Sequence, residues 1–268
     1  MTDYDFTFKV MMLGDASVDK TSLTIRYISG FFLEDLKLTI GVDYYSKTTN
    51  FRGKKVKLQI WDFGGEERFR FLLSQYCKGA NAAFFLYDIT NVGTLEHLPD
   101  WTQIIREHSG DIPIILVGSK LDLEEFRAVP REEGILMAER YNLSAFIEVS
   151  AKTGQNVERL FEVMTEILFE RYTVNLSKPI IKRRKRKKIK REEREEFIII
   201  KKDKYILEDI PGIGPNFAEK LRNAQILSIK DLLNCNVKVI AKEIYRVGVA
   251  SLNKWKQYAR QILSDKKV

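Results

Sequence analysis

Phe6-Thr7-Phe8-Lys9-Val10-Met11-Met12-Leu13 is a run of aromatic, β-branched and apolar residues that halts at Gly14. A run this short, bounded by glycine, predicts a strand buried on both faces. The pattern recurs at Val56–Trp61, Ala82–Asp88, Ile112–Gly118 and Ala145–Ser150. Helical patterning begins at Lys20–Tyr27, after the first strand, and returns as a long amphipathic stretch at Asn156–Tyr172, after the last. Nearly continuous apolar strands that alternate with helical segments predict a mostly parallel sheet covered on both faces. The expected class is α/β.

The last quarter of the chain reads differently. Ile206–Ile210 is a short helical pattern that should end at Pro211, and Pro215 is well placed to open the next helix. Helical patterns follow at Ser228–Leu233 and Val237–Ile244, and Val247-Gly248-Val249 leads into a helix holding Trp255. This predicts a small all-α domain with Trp255 in its core.

Charge divides the chain at the same place. Residues 1–178 carry 21 basic and 26 acidic side chains, residues 179–202 carry 12 and 4, and residues 203–268 carry 12 and 7. The net charge of +8 therefore comes from the C-terminal third. Pro179 opens the run Lys182-Arg183-Arg184-Lys185-Arg186-Lys187-Lys188. The expected organisation is an α/β domain over 1–178, a polybasic linker over 179–202 and a helical domain over 203–268. No apolar run reaches the roughly 18–20 residues that cross a bilayer, and the first residues lack the pattern of a signal peptide. Cys77 and Cys235 cannot form a disulfide framework, and both read as buried small apolar groups. The expectation is a cytoplasmic protein.

Loops that follow strands carry the ligands of open α/β sheets. The first is Gly14-Asp15-Ala16-Ser17-Val18-Asp19-Lys20-Thr21-Ser22, the phosphate-loop pattern G-x-x-x-x-G-K-[ST] with Asp19 in place of the second glycine. Its backbone N–H groups should surround a phosphate chain, with Lys20 on the β/γ phosphates and the Thr21 hydroxyl on Mg²⁺. Downstream, Thr39 offers a second hydroxyl to the metal. Asp62, at the end of a strand, offers a carboxylate, and the Gly65 amide can sense a γ-phosphate. The Asp122 carboxylate in Ser119-Lys120-Leu121-Asp122 can accept two hydrogen bonds from guanine, and Ser150-Ala151-Lys152 offers a backbone N–H to its carbonyl. His97 and His108 lie on or near a predicted helix at a spacing unsuited to joint metal binding and read as surface residues.

Five such loops in this order make residues 5–175 resemble a Ras-superfamily small GTPase, closest to the Rab branch. Ile40-Gly41-Val42-Asp43-Tyr44, Lys57–Asp62, Glu67-Arg68-Phe69-Arg70, Gly79-Ala80 and Tyr87-Asp88-Ile89-Thr90 look like Rab signature segments. The resemblance implies a P-loop GTPase fold, GTP/GDP and Mg²⁺ as ligands, and Phe32 packed edge-on against guanine. It also implies an aromatic trio of Tyr44, Trp61 and Tyr76 that couples two switch loops. Effectors, exchange factors and activators would then bind 36–44 and 63–78.

Four departures bear on that expectation. Asp19 puts a carboxylate beside the phosphates, a repulsion of roughly 3 kcal/mol at about 5 Å and an effective dielectric near 20. Glu66 stands at the family's catalytic glutamine; a carboxylate can accept a proton from water but cannot donate to the transition state. Ala16 crowds the γ-phosphate slightly. Ser119 replaces an asparagine that braces the phosphate loop, while Asp122 should preserve guanine specificity. Slow intrinsic hydrolysis is expected, with Glu66, Lys20, Thr39 and Gly65 as the catalytic set.

The chain ends Ser264-Asp265-Lys266-Lys267-Val268, so no prenyl anchor is expected. Residues 182–191 hold 9 Lys/Arg in 10 and can bind nucleic acid or anionic lipid heads at a membrane surface, or serve as a solvated linker. Gly212-Ile213-Gly214 between two helical patterns resembles a helix-hairpin-helix. Residues 203–263 look like the N-terminal domain of archaeal RadA recombinases, which implies an archaeal source and sequence-independent DNA contact through 211–222, with Lys220 and Arg222 nearby. Helix-hairpin-helix units also serve as protein-docking modules. The leading expectation is a guanine-nucleotide switch joined to such a module. Two others stay open: a pseudo-GTPase scaffold impaired by Asp19, and a nucleic-acid-binding protein that uses the linker and hairpin.

Overall fold

The computed structural model describes residues 4–174, 197–199, 207, 210–224, 226, 229–244 and 247–264. It divides into two compact units, 1–200 and 201–268. Residues 182–191 and most of the expected Ile206–Ile210 helix lie outside the described residues.

The first unit is built on β1 (Phe6–Leu13), β2 (Val42–Phe51), β3 (Lys54–Phe63), β4 (Ala82–Asp88), β5 (Ile114–Ser119), β6 (Ala145–Glu148) and β7 (Phe197–Ile199). They form one sheet in the order β2-β3-β1-β4-β5-β6-β7. The five central strands are parallel, and antiparallel β2 and β7 close the two edges. The helices are α1 (Lys20–Ser29), α2 (Leu73–Tyr76), α3 (Val92–Glu96), α4 (Leu98–Ser109), α5 (Arg131–Arg140) and α6 (Val157–Val174).

Strand alternation explains the two cores. Val10 and Met12 face one side of the sheet, where they pack with Leu23, Tyr27, Phe84 and Phe161. Met11 and Leu13 face the other, with Phe85, Leu98, Trp101 and Phe146. On the first face α1 and α6 meet through Tyr27 and Phe161, stacked at 3.7 Å between centroids. Every residue of β4 is buried, as its unbroken apolar sequence requires.

Two strands escaped the sequence pattern. In β2, Val42-Asp43-Tyr44-Tyr45-Ser46-Lys47-Thr48-Thr49-Asn50-Phe51 lies at the sheet edge without a fully buried residue, so its apolar content is low. The segment Phe197–Ile199, expected as the end of a linker, instead pairs antiparallel with β6, Ile147 opposite Phe197 and Ala145 opposite Ile199. The first unit thus extends past 178, to Ile200.

The second unit contains α7 (Pro215–Asn223), α8 (Ile229–Asn234), α9 (Val237–Glu243) and α10 (Val249–Ser264). Leu221, Leu232, Leu252, Trp255 and Ala259 anchor its core. The Lys256 ammonium donates to the carbonyls of Leu233 (2.9 Å) and Cys235 (2.6 Å), which satisfies the end of α8.

Ile198 packs on the core around Phe146. Ile198→Asp should release β7 at a cost of about 1–2 kcal/mol in lost apolar burial. Amide hydrogen exchange at 197–199 reads this directly; protection unchanged by the substitution would mean that the pairing does not depend on this contact.

Candidate functional site

The parallel strands deliver their loops to one end of the sheet, where a cavity of about 280 Å³ is lined by the phosphate loop, by 32–39 and by 63–66. The phosphate loop turns at Gly14 (φ +131°), where a Cβ would lie 2.3 Å from the Leu86 carbonyl oxygen. No other residue fits between β1 and β4. Ser17 and Asp19 both hold left-handed backbone at φ 63°. Asp19 therefore adopts the conformation that usually selects glycine, one that aspartate tolerates better than most residues. Val18 is buried in the core, so it can offer a ligand only its backbone.

Lys20 opens α1 with its side chain buried, and its ammonium donates to the Asp15 carbonyl at 2.5 Å. Burial pushes its pKa down to about 8, against the pull of Asp62, Asp15 and Asp19. Asp62 is pushed up to about 6 by burial, which outweighs its hydrogen bond from Thr21 and the nearby Lys20. Burial likewise raises the Asp19 carboxyl.

The Thr21 hydroxyl donates to Asp62 Oδ2 at 2.5 Å and lies 2.7 Å from the Thr39 hydroxyl. Asp62 Oδ1 is buried without a hydrogen-bond partner. Two hydroxyls and one carboxylate, whose second oxygen is orphaned, form a hard-oxygen set suited to a divalent cation. The residues present therefore fit Mg²⁺. Among the described residues there is no cluster of three or more His, Cys, Asp or Glu to suggest a different metal centre.

Two glycines bring the 63–66 segment against its neighbours. A Cβ on Gly64 would lie 2.4 Å from the Thr39 carbonyl oxygen, and one on Gly65 would lie 2.1 Å from the Asp15 carbonyl carbon. The Gly64 amide also donates to Gly41 at 2.9 Å. Tyr44, Trp61 and Tyr76 meet behind these loops, with centroids 5.3 Å apart for Tyr44–Trp61 and 5.6 Å for Trp61–Tyr76.

At the other end of the site, Asp122 accepts from the Ser150 hydroxyl at 2.5 Å, which joins the two loops expected to read a base. Ala151 is buried and Lys152 exposed. Ser119 donates to the Tyr87 carbonyl at 2.8 Å. Lys120 lies 2.7 Å from Asp88 and, with Phe32 and Ser22, lines the cavity. Burial opposes ionisation of Asp88, but hydrogen bonds from Lys120 and Thr90 prevail and hold its carboxyl below the ordinary value.

Several contacts had no sequence signal. His97, read as a surface residue, lies 2.6 Å from Asp15, and the Trp101 indole donates to the same carboxylate at 3.2 Å. Arg68 lies 2.6 Å from Glu66. These partners are separated too widely in sequence, or joined by too irregular a turn, for periodicity to pair them.

In the helical unit Gly212 and Gly214 are exposed, whereas Ile213 is buried and belongs to the core. Lys220 lies with its ammonium 5.5 Å from the Phe217 ring. Arg222, expected with Lys220 at a phosphate, is instead only 7% exposed, because α7 turns it onto the face of Ala218 and Leu221. Cys77 is buried as expected, but Cys235 is half-buried.

A mostly parallel sheet whose first loop is a phosphate loop defines a P-loop protein of the GTPase fold. The chain belongs to the Ras family, whose model matches residues 9–170. A model described as a SAM-like helix-hairpin-helix tandem matches residues 205–261. Ras-related protein Rab-19 of Homo sapiens is 38% identical over 175 residues, 65% of this chain and 81% of the relative. Ras-related protein Rab-26 of Bos taurus is 42% identical over 178 residues, 66% and 69%. Ras-related protein RABE1e of Arabidopsis thaliana is 38% identical over 174 residues, 64% and 79%. Among the described residues no helix is long and apolar enough to cross a membrane.

Gly65→Ala should be the most disruptive small substitution in this site. The added methyl overlaps the phosphate-loop backbone, so 63–66 must withdraw, at about 1–3 kcal/mol. Urea denaturation measures the loss; a variant as stable as the parent would show that the two loops are not packed as described.

Proposed function

We propose that the chain is a guanine-nucleotide switch that binds GTP and GDP with Mg²⁺ and hydrolyses GTP slowly, and that it is coupled to a C-terminal docking or DNA-binding module. The observation that carries this reading is the convergence of the Thr21, Thr39 and Asp62 oxygens beside buried Lys20 in one cavity. Desolvated Lys20 and Asp62 are each costly alone, and a phosphate chain with a cation would relieve both. Mg²⁺ bound to these oxygens would neutralise charge on the β and γ phosphates. Ser17, Val18 and Asp19 would offer backbone N–H groups to the phosphates, and Gly65 one to the γ-phosphate. Asp122, aligned by Ser150, would take guanine's N–H groups, with Ala151 at the carbonyl and Phe32 at the ring edge.

Loss of the γ-phosphate would release Thr39 and Gly65 and change 36–44 and 63–78, the surfaces for effectors, exchange factors and activators. Glu66 would accept a proton from water but lacks the amide donor, hence the slow rate. Glu66→Gln should raise single-turnover hydrolysis at least several-fold; a variant no faster than the parent removes Glu66 as the cause.

A second reading, a nucleotide-free scaffold, is favoured by one observation: Asp19 lines the cavity with its carboxyl desolvated. Nucleotide content separates the two. Protein purified with Mg²⁺ should yield near-stoichiometric GDP or GTP on denaturation and ion-exchange chromatography. An empty parent beside a loaded Asp19→Gly variant would establish the scaffold instead.

For the module, exposed Gly212 and Gly214 at the start of α7, together with the basic run 182–191, support contact with nucleic acid. Binding of the full chain to duplex DNA should weaken steeply between about 50 and 200 mM salt. No gel shift at low salt would leave protein docking or an anionic membrane surface as the role of the C-terminal third.

A further inference from the structure

Glu66 lines the cavity and directly follows Gly65, whose Cα lies against the backbone of Asp15 and Ala16. An ionised carboxylate on this wall adds negative charge where the terminal phosphate of a nucleoside triphosphate would sit, and like charges at such range disfavour binding. The Arg68 guanidinium answers it: Nε lies 2.6 Å from Glu66 Oε2. The pairing is built into the local fold. The Phe69 amide donates to the Glu66 carbonyl at 2.9 Å, which closes the turn that brings the two side chains together. The guanidinium also lies 4.9 Å from the Phe69 ring, and that ring packs against Gly64. Of the lysines that line the cavity, Lys20 is engaged by the Asp15 carbonyl and Lys120 by Asp88. Arg68 itself does not line the cavity, so it acts through Glu66.

We propose that Arg68 is a specificity-determining residue: by neutralising Glu66 it allows the site to accept a nucleoside triphosphate and so sets the affinity for the triphosphate relative to the diphosphate. This rests on the guanine-nucleotide reading above. Arg68 is a positioning and charge-compensating group, not a catalytic one. A diphosphate lacks the charge nearest Glu66, so removal of Arg68 should weaken the triphosphate alone.

The test is equilibrium binding of GDP and of a slowly hydrolysed GTP analogue, both with Mg²⁺, to the full chain. Arg68 is largely exposed, so Arg68→Ala should weaken the analogue relative to GDP by roughly two- to fivefold, an effect that shrinks as salt is raised. Arg68→Lys should retain most of the parent ratio. Glu66→Gln combined with Arg68→Ala should restore it, because no carboxylate remains to be compensated. A parent protein that binds both nucleotides, with a ratio unchanged in Arg68→Ala or not restored in the double variant, would overturn this assignment alone. A parent that binds neither would overturn the guanine-nucleotide reading and this assignment with it.

Discussion

Two buried charges of opposite sign, Lys20 and Asp62, stand at the same end of the parallel sheet, and much of the site is arranged around them. Burial weakens the proton affinity of the first and raises that of the second, so neither is fully compensated by the protein. They are held there by strand geometry. Register places Met12 opposite Asp62, so the loop after β1 and the Asp62 carboxylate leave the sheet side by side. Thr21, one residue past Lys20, then reaches Asp62, and Thr39 closes on both. A charged lysine and an ionised aspartate in a low-dielectric pocket cost free energy unless a ligand completes them.

Three of the four departures expected from the resemblance meet a local answer in the structure. Asp19 occupies left-handed backbone that aspartate tolerates, with Lys120 as its strongest favourable charge. Glu66 is paired with Arg68. Ser119 turns its hydroxyl to the Tyr87 carbonyl and so avoids leaving a buried polar group unsatisfied. Asp19 and Glu66 both bring negative charge to the cavity wall, and each has a basic residue beside it, Lys120 and Arg68. Asp15, anchored by His97 and Trp101, ties the phosphate loop to the start of α4 and restrains it from the opposite side.

The seventh strand changes how the two units are joined in sequence. β7 lies outside both family matches, 9–170 and 205–261, yet it pairs with the strand that leads into Ser150-Ala151-Lys152. In sequence the helical unit thus follows closely on a strand of the first unit's sheet. In sequence the polybasic segment lies between α6 and β7, two elements of the first unit.

Much of this was legible in the residues alone. Apolar runs identify β4, β5 and β6 because each is buried along its whole length, and β1 and β3 because apolar residues fill at least their core-facing positions. The loops after those strands follow for the same reason, and their motifs name Lys20, Thr21, Asp62 and Asp122. β2 stayed hidden because an edge strand with no fully buried residue carries Asp43, Ser46, Lys47 and Asn50 among its few apolar positions. β7 stayed hidden because three residues give no period at all, and only the open edge of β6 selects them. Arg222 reads as a surface cation, yet the face that α7 buries is fixed by the core it packs against, not by the residue's charge. The same holds for His97 with Asp15 and for Arg68 with Glu66. Sequence by itself determined which chemical groups stand in which loops, since that depends on local pattern. Which of them face one another only the tertiary structure decided, since that depends on register and on where each turn points its side chains.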